Sequence, residues 1–181
     1  MRGFAKNRLL IFCCIFTFLF ICSLFSAESL KSQTVKNYKV KVVETLNHDK
    51  GAYTQGLFFY NNMLYESCGE YGSSTLRRVD LQSGKVLQIE PIPSNFFAEG
   101  SVILNNVLYL LTWREKKCLI YNKDTFKKIG ELPNSKEGWG LTTDGENLIM
   151  SDGSSQIFFV DPLTFAFKRV INVTLDSYFF N

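Results

Sequence analysis

Three glycines, Gly56, Gly100 and Gly140, lie at intervals of 44 and 40 residues, and each follows a side chain suited to recognition or proton transfer: Gln55, Glu99 and Trp139. Tyr53 and Phe97 stand two residues before Gln55 and Glu99, and a second indole, Trp113, closes the run Leu108 to Thr112. A carboxylate, a carboxamide and two indoles gathered at one end of a fold make a mostly apolar concavity with few polar groups, the usual composition of a small-molecule site. A lone carboxyl walled by aromatic rings has its charged form disfavoured. Each residue also has a plainer use, Glu99 as a cap on backbone amides beside a channel and Trp139 as ring packing. Glu66, Glu70 and Glu137 read as rim or solvated acids, and Asp152 in Ser151-Asp152-Gly153 as the holder of a turn. The single histidine, His48, lies in a loop with Asp49. It leaves no internal Ser-His-Asp set unless His48 itself serves, and no multi-histidine metal site.

The elements that must position these residues repeat. A Gly-opened apolar strand leads to a turn at Asn61-Asn62, Asn105-Asn106 or Asp144-Gly145, then to a second strand through Leu64-Tyr65, Leu108-Tyr109 or Leu148-Ile149. A third ends at Val79-Asp80, Tyr121-Asn122 or Val160-Asp161, 42 and 39 residues apart. Several strands per unit of about 40–45 residues predict an all-β fold of β-propeller blades. The residue before each glycine then enters the innermost strand, and the second strand returns to the same end, which brings Trp113 beside Gln55, Glu99 and Trp139.

About three blades are present, whereas propeller rings typically have four to eight. An open ring exposes sheet edges. After the third blade the sequence continues through Val170 to Thr174 and ends on Tyr178-Phe179-Phe180-Asn181, expected to be unpaired, so it reads as a truncated product or a partial read of a longer one. Tyr38 to Thr45 alternates Tyr38, Val40 and Val42 with Lys39 and Lys41 and predicts a strand with one wet face.

Residues 1–27 stand apart: Arg2, Lys6 and Arg8 precede an acid-free apolar run over 9–25 and a small-residue exit at Ser26-Ala27. This reads as a secretory signal, with an uncleaved N-terminal anchor as the alternative; either way the domain is exported, as a periplasmic, secreted or secretory-pathway protein. Contact with a membrane is expected only through residues 9–25, if they are retained. Residues 28–37 read as a polar linker and 38–181 as the partial propeller domain. The formal charge of +3 comes from the three leader cations, since residues 28–181 balance 17 basic against 17 acidic side chains. Nucleic acid is therefore not the expected partner. Cys68 and Cys118 fall in different repeat units and read as isolated core residues, although a bridge between them stays open.

The ordered set His48-Asp49, Tyr53-Thr54-Gln55-Gly56-Leu57, Tyr65-Glu66-Ser67, Tyr71-Gly72, Phe97-Ala98-Glu99-Gly100, Leu111-Thr112-Trp113, Glu137-Gly138-Trp139-Gly140-Leu141-Thr142 and Ser151-Asp152-Gly153 closely resembles the plant and bacterial glutaminyl-peptide cyclotransferases, over roughly residues 45 to 175. The resemblance implies a five-bladed propeller, an acyltransferase activity converting N-terminal glutamine of peptides or proteins to pyroglutamate with release of ammonia, no metal or other cofactor, and a monomer when complete. By matched position it makes Glu99 the central acid/base and Gln55, Phe97, Trp113 and Trp139 the walls for the glutaminyl side chain, with Tyr53 where the family usually has phenylalanine. Asn47 and Cys68 replace a usual proline and threonine. The family's downstream Asn-Glu-Leu-Glu stretch, a further tryptophan and a lysine are not found in the sequence. A stop after Asn181 would leave an open propeller expected not to cyclise glutamine, and an open frame through two more blades a working enzyme. The competing expectation is a non-catalytic, exported propeller that only binds.

Overall fold

The computed structural model describes residues 36–175 and 178–179, so the leader over residues 1–27 and most of the 28–37 linker lie outside the described residues. The chain divides into two compact units, residues 1–43 and 44–181. Residues 36–43 of the first are exposed and carry no regular element.

The second unit contains three four-stranded antiparallel sheets, the blades. Blade one is β1 (Thr54–Tyr60), β2 (Met63–Cys68), β3 (Thr75–Val79) and β4 (Val86–Pro91). Blade two is β5 (Ala98–Leu104), β6 (Val107–Thr112), β7 (Lys117–Asn122) and β8 (Lys128–Pro133). Blade three is β9 (Leu141–Thr143), β10 (Leu148–Ser151), β11 (Gln156–Val160) and β12 (Phe167–Asn172). The strands pair in sequence order, and β1 packs against β5 and β5 against β9, so the first strand of each blade lies on the inside. This is the expected all-β, partial β-propeller.

The β1–β2 and β5–β6 hairpins turn at the expected asparagine pairs. Asn61 and Asn62 have φ of 48° and 59°, and Asn105 and Asn106 of 50° and 65°. Two successive left-handed residues match the twist of paired strands, and asparagine tolerates that conformation better than most residues.

Each blade has a fourth strand that the three-strand repeat did not anticipate. The chain enters it through one repeated device. Asp80, Asn122 and Asp161 accept the backbone N–H of Ser83, Thr125 and Thr164 on Oδ1 at 2.9–3.0 Å, and the next residue donates back to the main-chain oxygen of the acid or amide at 2.9 Å. The segment Val170–Asn172, expected to follow the last blade, thus lies within β12. Beyond it β13 (Thr174–Leu175) pairs with β14 (Tyr178–Phe179), so the first two residues of the tail expected to be unpaired have a partner strand, while Phe180 and Asn181 lie outside the described residues.

The strand expected over Tyr38–Thr45 does not form. Residues 36–49 have no regular element, and Tyr38, Val40, Val42 and Val43 are 75–95% exposed. Alternation prepares a strand to cover an apolar face, but its N–H and C=O groups need a neighbouring edge, and among the described residues no strand pairs with it.

The core lies in two layers between blades. Tyr65 and Leu76 of blade one meet Leu108, Leu110, Leu119 and Tyr121 of blade two. Tyr109, Leu111 and Cys118 of blade two meet Leu148, Met150 and Phe158 of blade three. Successive residues of β6 therefore serve opposite layers, as the two-residue period of a strand requires. With both faces covered, β6 reads as a continuous apolar run, Val107-Leu108-Tyr109-Leu110-Leu111.

Candidate functional site

The inner strands are irregular where Gln55 and Glu99 enter. Thr54 pairs with Cys68 and Gly56 with Ser67, leaving Gln55 as the extra residue of a bulge; pairing likewise slips between Ala98 and Ser101, across Glu99 and Gly100. A bulge releases a residue from the ladder and re-aims its side chain. Trp139 precedes β9, and its N–H donates to Ser151 O at 3.1 Å. Trp113 directly follows β6, with its N–H on Phe97 O at 3.1 Å.

These placements bring Tyr53, Gln55, Phe97, Glu99, Trp113 and Trp139 around one cavity of about 390 Å³. All six residues singled out from the sequence share it. Glu70, expected on the rim or in solvent, also lines the wall. Glu70 has φ +137°, a backbone region that favours glycine, and residues held there typically cost about 1–3 kcal/mol. Its carbonyl is tied down by Ser73 N–H at 3.1 Å and Ser74 Oγ at 2.8 Å.

Aromatic packing sets the wall. The Phe97 ring meets Tyr53, Tyr71 and Trp113 edge-on at centroid distances of 6.4, 5.4 and 5.5 Å, a geometry favoured by ring quadrupoles. Gly69 makes room for it: a Cβ there would strike the Phe97 ring and come within 2.8 Å of Gln55 Cγ. Gly100 does the same between blades, since its N–H donates to Trp139 O at 2.7 Å and a Cβ would lie 2.5 Å from Leu141 N.

Three acids make contacts that their spacing in the sequence does not announce. Glu137, expected on the rim, accepts both indole N–H groups on Oε2, from Trp113 at 3.0 Å and Trp139 at 3.3 Å. Glu115 accepts the Tyr71 hydroxyl at 2.6 Å and the Phe97 N–H at 3.4 Å. Glu66 is 1% exposed; its Oε1 accepts from Thr54 Oγ1 at 2.5 Å and lies 2.8 Å from His48 Nε2. The Glu-Gly pair before Trp139 was the available signal for Glu137, but nothing in spacing says that both indoles point at it. Asp152 holds its turn as expected, accepting Ser154 N–H at 3.1 Å.

The carboxyl of Glu99 is pushed up to about 7, first by loss of hydration and then by the charges of Glu115 and Glu137. A group poised there exists in both protonation states near neutral pH, as a proton shuttle requires.

Antiparallel four-stranded blades around inner strands define a propeller-type protein, with a carboxyl raised toward neutrality among aromatic walls as its candidate site. A model of the glutamine cyclotransferase family matches residues 15–180. The chain belongs to that family. It is 38% identical over 128 residues to the glutaminyl-peptide cyclotransferase of Arabidopsis thaliana, a match that covers 70% of this chain and 40% of the plant protein. The crystal structure of Myxococcus xanthus glutaminyl cyclase superposes with a TM-score of 0.70 at 30% identity, over 77% of this chain and 59% of the bacterial one. The WD40 domain of Neurospora crassa Pan2, at TM-score 0.54 and 13% identity, shares the fold alone. The chain thus spans two fifths of the plant relative and about three fifths of the bacterial one.

Proposed function

We propose that the cavity takes the N-terminal glutamine of a peptide and that Glu99 carries the proton moved during its cyclisation to pyroglutamate. The neutral α-amine attacks the carbon of its own side-chain carboxamide. The Glu99 carboxylate accepts the proton that the amine loses and returns it to the departing nitrogen, which leaves as ammonia as the ring amide forms. Glu99 ends as it began, so one residue near pKa 7 supports a full cycle. General acid/base catalysis of this kind contributes about 10²- to 10⁴-fold. The attack is intramolecular, so holding the side chain folded supplies much of the rest. The faces of Trp113 and Trp139, with their N–H groups tied to Glu137, and the Gln55 carboxamide are suited to hold that conformer.

The observation that carries this reading is a carboxyl raised to about 7 within a cavity walled by Tyr53, Phe97 and both indoles. The same reading routes the protein out of the cytoplasm through residues 1–27 and has it act as a monomer. The test is an assay of the full-length gene product, before and after Glu99→Gln, on a peptide beginning with glutamine. Pyroglutamate and ammonia from the parent and none from the variant support the assignment. Peptide binding without product in either would reduce the protein to a binding module.

A further inference from the structure

A second cavity, of about 470 Å³, adjoins the first: Tyr53 and Glu70 line both. Its other walls include Lys50, Ser73 and Arg77. Against the acid Glu70 it presents Lys50 and Arg77, the latter ion-paired with Asp49 at 2.8 Å, whereas Glu70 and Glu99 are the charged groups of the first cavity.

The cationic wall is braced. Asp49 Oδ2 accepts from Arg77 Nη1 at 2.8 Å, and Thr75 Oγ1 accepts from Arg77 Nε at 2.9 Å. A guanidinium has five N–H donors, so these bonds fix the fork without exhausting it. Asp49 Oδ1 also accepts the Gly51 N–H at 2.9 Å, so the Asp49 that grips Arg77 also shapes the loop that carries Lys50. Lys50 itself is exposed.

A glutamine cyclised in the first cavity keeps its peptide bond to the second residue, and the rest of the substrate must leave past the wall. We propose that the cavity at Lys50 and Arg77 receives that portion and favours a carboxylate on it, either an acidic side chain at the second or third position or the C-terminal carboxylate of a short peptide. The inference rests on the first cavity being the glutaminyl pocket. Tyr53 then acts as the partition between the reacting glutamine and the remainder of the peptide. Arg77 supplies a fixed planar donor set that suits a carboxylate, and Lys50 a mobile charge screened by salt.

The test compares four peptides on the full-length gene product: Gln-Ala-Ala-amide, Gln-Glu-Ala-amide, Gln-Lys-Ala-amide and Gln-Ala-Ala with a free carboxylate. Binding is read by tryptophan fluorescence and cyclisation by ammonia release. The expected result is binding of the glutamate peptide about three-fold tighter than the neutral one, the size of an exposed ion pair, with the lysine peptide weakest. The advantage should shrink in high salt, and Lys50→Glu should reverse the order. The free-carboxylate peptide separates the two sources: preference for it alone places the carboxylate site at the chain end, and preference for the glutamate peptide alone places it on a side chain. Equal binding of all four, or an order unmoved by Lys50→Glu, would overturn the inference. Preferential binding without ammonia release keeps the subsite and sinks the catalytic reading; ammonia release without preference does the reverse.

Discussion

Trp113 Nε1 donates to Glu137 Oε2 over 3.0 Å, which couples the orientation of a cavity wall to a charge that also raises the pKa of Glu99. The two roles separate by substitution. Glu137→Gln keeps an acceptor but removes the charge, so the limb of kcat/KM that rises with ionisation of Glu99 should move to lower pH with little change in KM. Glu137→Ala should move that limb equally and also raise KM, because both indoles lose their anchor. A limb that stays near pH 7 in both variants would show that Glu137 does not act on Glu99.

In the proposed role, Glu99 also links activity to stability. Its carboxyl titrates at about 7 in the fold, against an ordinary value of 4.5. The folded protein therefore holds a proton that the unfolded chain has lost between those values, and stability falls as pH rises from 4.5 through 7. Below 4.5 the group is neutral in both states and costs nothing. Glu99→Gln should melt higher than the parent above pH 7 and nearly level with it at pH 4. Equal melting temperatures across that range would mean that Glu99 is fully hydrated.

The repeat of glycines, turns and second strands was legible in the sequence because each landmark answers a local demand, such as left-handed φ at Asn61 and Asn62. The cavity came from the same register, since a residue placed before the anchoring glycine enters at the inner end in every blade. The fourth strands escaped because β4, β8 and β12 bury no residue fully and carry weak alternation, as in Lys128-Ile129-Gly130-Glu131. Their entry signal was nevertheless present: an acid or amide with Ser or Thr three residues on, at Asp80, Asn122 and Asp161. The burial of Glu66 and the paired contacts of Glu137 were hidden for another reason. Acidic type alone places such residues on the rim or in solvent, whereas His48 and Thr54 in one case, and Trp113 in the other, reach them from outside their own strand or loop.

The seam between blades one and two is closed by a buried hydroxyl pair. Ser67 Oγ donates to Glu99 O at 2.5 Å and lies 3.0 Å from Ser101 Oγ, both serines being at most 2% exposed. Ser67→Ala leaves the Glu99 carbonyl and the Ser101 hydroxyl without that partner. A loss of about 1–3 kcal/mol in denaturant unfolding is expected, with reduced activity because Glu99 is held by its own carbonyl. A variant as stable as the parent would show that water replaces the hydroxyl without cost.

Cys68 and Cys118 are free and buried, at 2% and 0% exposure. Burial pushes the Cys118 thiol far above its ordinary range, and that of Cys68 is raised first by burial and then by the nearby Glu66. The reactive thiolate is thus scarce as well as inaccessible. An alkylating reagent should leave both unmodified in the folded protein and label both in denaturant without prior reduction, as peptide mass mapping can read. Labelling that requires a reductant would reveal a bridge and overturn the packing between the blades. Cys118→Ser should cost about 1–3 kcal/mol, since a hydroxyl then replaces a thiol in the apolar layer it shares with Leu111 and Phe158. Full stability in that variant would mean the layer contains an acceptor ready for it.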